Sequence, residues 1–174
     1  MLKTILLIAL ATLALLMMVA ATRPDNFRVE RSADILAPPE RIVPLINDLH
    51  KFNTWNPYAL KDPATQGQYS GSPSGPGARY AWVSEKVGTG SMTIQDSAPT
   101  RVTMRLDFEQ PFAASNMAEF QLRLSGDKTR ITWSMHGPAN FMSKLMETLT
   151  LMDRMVGKDF ESGLANLKMI AETR

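Results

Sequence analysis

The sequence predicts an α+β domain in which an antiparallel meander packs against one long C-terminal helix, with a separate apolar segment ahead of it. Three observations predict this. Large apolar and polar residues alternate with a period of two from Ala78 to His136, as strands with one covered and one wet face require. The connections at Val87-Gly88, Ala98-Pro99-Thr100 and Ser125-Gly126-Asp127-Lys128 are too short for helical crossovers, so neighbouring strands run antiparallel. Beyond Gly137-Pro138 the apolar spacing becomes three and four, the period of a helix.

At 174 residues the chain fits one domain and one extra segment, since a domain usually takes about 100 to 200 residues. Nineteen Lys and Arg face seventeen Asp and Glu, and no basic run is present to track a phosphate backbone, so nucleic acid is not an expected partner. The absence of cysteine excludes disulfides, thiolate metal sites and a cysteine nucleophile.

The extra segment comes first. Thr4 to Thr22 carries no charge and is bracketed by Lys3 and Arg23. As a helix it reaches roughly 27 Å at about 1.5 Å per residue, close to the hydrocarbon core of a bilayer. The expectation is a single-pass membrane anchor over residues 1–23, followed by a domain over 24–174. A cleaved secretory signal is the competing reading, because Val19-Ala20-Ala21 offers small residues to a peptidase; the protein would then be secreted. Arg23, Arg28 and Arg31 argue for a cytoplasmic domain by the positive-inside rule, whereas the short basic start followed by an apolar run argues for the exported side, which is the side expected here.

Within the domain, Phe27 to Ile35 alternates as a strand, and Ala37-Pro38-Pro39-Glu40 ends it and starts a helix over Arg41 to Leu49, with proline in the first turn. His50 to Gly67 reads as a half-helical turn and then a loop, and Ser70 to Gly77 as a tight connection. Strands follow with Tyr80 and Trp82, then Met92 and Ile94, then Val102, Met104, Leu106 and Phe108, then Ala118, Phe120, Leu122 and Leu124, and lastly Ile131, Trp133 and Met135 on the covered face. The last helix carries Phe141, Leu145, Leu149, Met152, Val156, Phe160, Leu164 and Leu167 along one stripe. Gly157 and Gly163 lie inside it, each costing roughly 1 kcal/mol against alanine. Either something approaches the helix closely there or Gly157 marks a break.

The segments ERSADILAPPERIVPLINDLHKFNTWNPY, GSPSGPGARYAW and MDRMVGKDFESGLANLK resemble the START-like (SRPBCC) superfamily with the helix-grip fold, in its polyketide cyclase/dehydrase and lipid-transport branch. The likeness covers nearly everything after the apolar segment. It rests on the Ala-Pro-Pro strand end, on Trp55-Asn56-Pro57 and on residues 163 to 168, which are characteristic together and weak singly. The branch usually has a second aromatic in the Trp-Pro turn, where this chain has Asn56-Pro57-Tyr58. The resemblance implies a cavity between sheet and last helix for a hydrophobic small molecule or lipid, with no cofactor.

The candidate lining of that cavity is Tyr80, Trp82, Met92, Met104, Phe108, Phe120, Trp133 and Met135 on the sheet and Met152, Met155 and Phe160 on the helix. Trp55 and Tyr58 are candidates for its mouth, with Trp55 as a packed plug in the alternative. Methionines in the wall repack around ligands of different shape more cheaply than β-branched residues do. Alternation turns Asp107, Glu119 and His136 away from Phe108, Phe120 and Met135, so catalytic residues are not expected there. His50 and His136 lack an acid at metal-ligand spacing, so no metal site is expected. The leading expectation is a membrane-tethered, non-catalytic domain that binds a hydrophobic ligand. A cyclase or dehydratase-type enzyme, with a polar group turned inward by a bulge, and an interaction module with a filled core are the alternatives.

Overall fold

Alternation becomes seven strands in one antiparallel sheet. A computed structural model describes residues 2–22, 24–139, 144 and 151–173, apart from the side chains of Leu2, Ala9, Leu13, Ala20, Leu151 and Met152. The strands are β1 (Asn26–Ile35), β2 (Gln66–Gly71), β3 (Ala78–Ser84), β4 (Gly88–Ala98), β5 (Arg101–Gln110), β6 (Ala114–Ser125) and β7 (Lys128–Pro138). Their order in the sheet is β1-β7-β6-β5-β4-β3-β2. Strands β2 to β7 are therefore a meander in chain order, and β1 closes onto β7 from Asn26↔Pro138 to Ile35↔Thr129.

Strand β2 falls where a loop is expected from the sequence. All six of its residues are exposed, so no alternation is imposed on the sequence; it is an edge strand paired only with β3, and its Tyr69 stacks on His50 at 3.6 Å and accepts from the Asn53 amide at 2.9 Å. The short helices α2 (Pro39–Asn47), α3 (Leu49–Phe52) and α4 (Pro57–Lys61) fill the connection between β1 and β2. Proline opens both α2 and α4, where its missing N–H costs nothing. The Asp48 carboxylate caps α3 by accepting from the backbone N–H groups of His50 and Lys51, and the Asn56 side chain caps α4 by accepting from that of Tyr58.

The closing helix, α5 (Leu151–Glu172), runs unbroken through Gly157 and Gly163. The expected stripe residues Phe141, Leu145 and Leu149 lie outside the described residues, as does the side chain of Met152. Phe160, Leu164, Leu167 and Ala171 are buried against the sheet. Close approach accounts for both glycines. A side chain at Gly157 would collide with the guanidinium of Arg31, and one at Gly163 would sit 2.7 Å from the Trp133 ring and 2.9 Å from Pro57. Arg31 uses the room at Gly157 to bind the carboxylates of Asp153 at 2.9 Å and Glu161 at 2.7 Å. Further along, the Lys168 ammonium donates to the Asp34 carbonyl at 2.6 Å and the Leu36 N–H to the Glu172 carboxylate at 2.7 Å. Helix and first strand are thus fastened along their length.

The N-terminal segment forms α1 (Leu2–Ala21), whose leucines and isoleucines are largely exposed. The structure does not carry the expected membrane span. Among the described residues no helix is long and apolar enough to cross a membrane.

Candidate functional site

Between the sheet and the first half of α5 lies a cavity of about 380 Å³, within the usual range for small-molecule sites of about 300–1,000 Å³. The sheet supplies Tyr80 and Trp82 from β3, Met92 from β4, Met104 and Phe108 from β5, Phe120 from β6, and Trp133 and Met135 from β7. The helix supplies Met155, Val156, Asp159 and Phe160. It contributes nothing beyond Phe160, because from Gly163 onward α5 lies directly on Trp133 and Pro57. The tight half of the helix thereby sets the floor of the cavity.

Of the residues expected from the sequence, Tyr58, Tyr80, Trp82, Met92, Met104, Phe108, Phe120, Trp133, Met135, Met155 and Phe160 are brought together in this lining. The position of Trp55 is a correction. It lines no part of the cavity and is 0% exposed. Its ring meets Phe52 edge-on at 4.7 Å and Trp133 at 5.8 Å, and its indole N–H donates to the Leu45 carbonyl at 2.8 Å. The side chain is a structural plug behind the wall. Trp133 stands between plug and cavity, stacked on Phe160 at 4.1 Å.

Sequence reasoning did not assign to the lining the buried or half-buried Phe52, Asn56, Leu106 and Ala118, nor the more accessible Lys61, Thr65, Lys86 and Asp159. Leu106 and Ala118 share the alternation of their neighbours and were legible. Asp159 was legible too, since it sits one helical turn from Met155 and next to Phe160. Lys61, Thr65 and Lys86 come from a short helix and from loops, where no period announces a direction.

The polar groups gather at the mouth. Lys61 donates to both carboxylate oxygens of Asp159 at 2.6 Å, linking α4 to α5, and its ammonium lies 5.1 Å from the Tyr58 ring centre. Burial, and then the charge and hydrogen bond of Asp159, push the Tyr58 hydroxyl well above the usual phenol range. The phenol thus stays protonated and Asp159 is already neutralised by Lys61, so the three form a latch rather than a poised acid and base. The alkaline limb of stability follows from Tyr58. A group whose pKa is raised by folding stabilises fully below its unfolded value, 10.0, and loses that contribution as the pH climbs towards the folded one. Above about pH 10 the wild type is expected to lose stability more steeply than Tyr58→Phe, as read by urea midpoints across that range; parallel curves would refute the assignment.

Asp107, Glu119 and His136 do not line the cavity. Asp107 accepts from the Arg105 guanidinium at 3.0 Å and the Ser115 hydroxyl at 2.8 Å, and Glu119 accepts from the Gln121 amide. The two carboxylates are thus occupied on the outer face. Among the described residues no group of three or more His, Asp or Glu is placed to hold a metal ion.

This geometry has relatives. Residues 26–172 match the family described as polyketide cyclase / dehydrase and lipid transport. The chain belongs to this family. Among curated proteins no match was found. Solved structures with the same fold include protein CV1439 from Chromobacterium violaceum, at TM-score 0.60 and 13% identity over 87% of this chain and 100% of that one. Ara h 8.0201 superposes with TM-score 0.58 at 11% identity over 84% and 97% of the two chains. Protein Ms6760 from Mycobacterium smegmatis gives 0.57 at 17% identity over 82% and 89%. At these identities the likeness shows the fold, a helix-grip arrangement of sheet and last helix, and the family membership brings the general expectation of a hydrophobic ligand.

Proposed function

We propose that this protein receives a hydrophobic small molecule or lipid in the cavity between its sheet and α5, without chemical conversion, while α1 holds it at a membrane. The supporting observation is the cavity itself, whose wall is mainly aromatic, methionine and other apolar side chains. A methylene takes roughly the 30 Å³ of a liquid water, so about a dozen chain carbons fit. Asp159, the carboxylate in the lining, is held by Lys61, which favours binding over acid–base chemistry. The tether is supported by an uncharged run from Thr4 to Thr22 and by the exposure of its leucines and isoleucines. An anchor raises the concentration of a receiver where poorly soluble ligands reside.

Native mass spectrometry of residues 24–174, purified without detergent and mixed with a lipid extract, is expected to show one apolar molecule bound per chain and a rise in melting temperature. A spectrum of bare protein and an unchanged melting curve would count against ligand binding.

A further inference from the structure

The register of the sheet places the cavity mouth and the end of the chain's apolar helix on the same side of the domain. Following the pairs across, Asn26 lies opposite Pro138, His136 opposite Met117, Ala114 opposite Phe108, Gln110 opposite Thr89, Ser84 opposite Gly88 and Val83 opposite Gln66. The start of β1, the β5–β6 turn, the β3–β4 turn and the start of β2 therefore share one rim. Thr65, Lys86 and Val87, which line the cavity and are at least partly exposed, belong to that rim. Residues 22–25, which separate α1 from β1, reach about 14 Å at most, and the Asp25 carbonyl already accepts from the Ala139 N–H at 2.8 Å. Whatever surface receives α1 lies close to this rim.

The rim's most exposed point is apolar. Pro111, Phe112, Ala113 and Ala114 form an uncharged turn, all four exposed, with Phe112 at 69%. The neighbouring turn on this rim, between β3 and β4, carries Glu85 and Lys86. Val83, on the same rim but on the outer face of the sheet, and Met155, in the cavity lining, are also more than half exposed. A cluster of large apolar side chains around an opening marks a contact surface.

We infer that the β5–β6 turn, through Phe112, inserts into the interfacial layer of the bilayer that receives α1. The mouth then faces that bilayer, and a lipid-like ligand moves between membrane and cavity without crossing water. A bilayer suits this rim because the chain itself delivers the rim to that surface, and an aromatic turn flanked by small residues enters an interface without burying charge. The inference rests on the tether and on ligand binding proposed above, and the three separate experimentally.

Because the chain has no cysteine, Phe112→Cys and Asp127→Cys each give the full-length protein one attachment point for an environment-sensitive fluorophore. Asp127, in the β6–β7 turn, lies on the opposite rim. In phosphatidylcholine vesicles the label at 112 is expected to be quenched by doxyl lipids and protected from iodide, and the label at 127 the reverse. Flotation of the same samples reads the tether. A chain that floats with both labels equally open to iodide overturns the docking, keeps the tether and hands the exposed turn to a protein partner. A chain that does not float removes tether and docking together. Phe112→Asp, with flotation and melting temperature unchanged, is expected to slow uptake of a fluorescent fatty acid from the vesicles about tenfold; an unchanged rate overturns direct transfer. Uptake absent from the wild type, with the label at 112 still quenched, refutes the ligand and leaves the docking.

Discussion

Trp55→Ala is expected to destabilise the domain by about 3–5 kcal/mol, the range for truncating a fully buried aromatic. The indole is fully buried and touches Phe52, Phe120 and Trp133, and nothing nearby is free to collapse into the space because α5 is already seated on Trp133 at Gly163. The Leu45 carbonyl that accepts from it is left without its donor as well. Set against a total of about 5–15 kcal/mol for a domain of ordinary stability, the variant is close to unfolding at room temperature. Because Trp55 lies behind the wall, an added ligand does not restore the loss. Urea denaturation with and without lipid checks this; a loss under about 1 kcal/mol would mean that the plug is not packed as described.

Ala118→Phe is expected to do the reverse. Ala118 lies on β6 opposite Met104 and Met135, with its small side chain lining the cavity. A phenyl ring there fills space that is otherwise open, so stability is expected to hold within about 1 kcal/mol or to rise. Ligand affinity is expected to fall at least about a hundredfold, near 2.7 kcal/mol. Titration with a fluorescent fatty acid and a melting curve are read together. Retained affinity would place the ligand elsewhere, and a large loss of stability would mean that the cavity is narrower than it looks.

These two residues also show what a sequence discloses about such a site. Alternation names a covered face, and it named Tyr80, Trp82, Met92, Met104, Phe108, Phe120, Trp133 and Met135 correctly as sharing one. It placed Ala118 there too, but did not show that the smallness of this residue helps to leave the space open. Neither does it distinguish the wall of a cavity from the packing behind it. Trp55 sits in a helical turn without period, and only its contacts show that it faces the back of the wall. The latch of Lys61, Asp159 and Tyr58 joins residues about a hundred positions apart on two helices, and no local pattern anticipates that meeting. Strand β2 escaped notice because an edge strand whose residues are all exposed leaves no hydrophobic signature. The glycines were the opposite case. Their cost inside a helix implied either close neighbours or a break at Gly157, and Arg31 and Trp133 are close neighbours within an unbroken helix.

The pairing of β1 with β7 has a consequence for the order of events at the ribosome. Strands β2 to β7 each find a partner next to them in the chain, whereas β1 must wait until residues 128–138 have been made. Until then Phe27, Val29 and Ile35 have no sheet to cover them. The segment that follows the apolar helix is thus the first strand to emerge and the last to be zipped in, and during that interval the newborn chain depends most on whatever shields it from its neighbours.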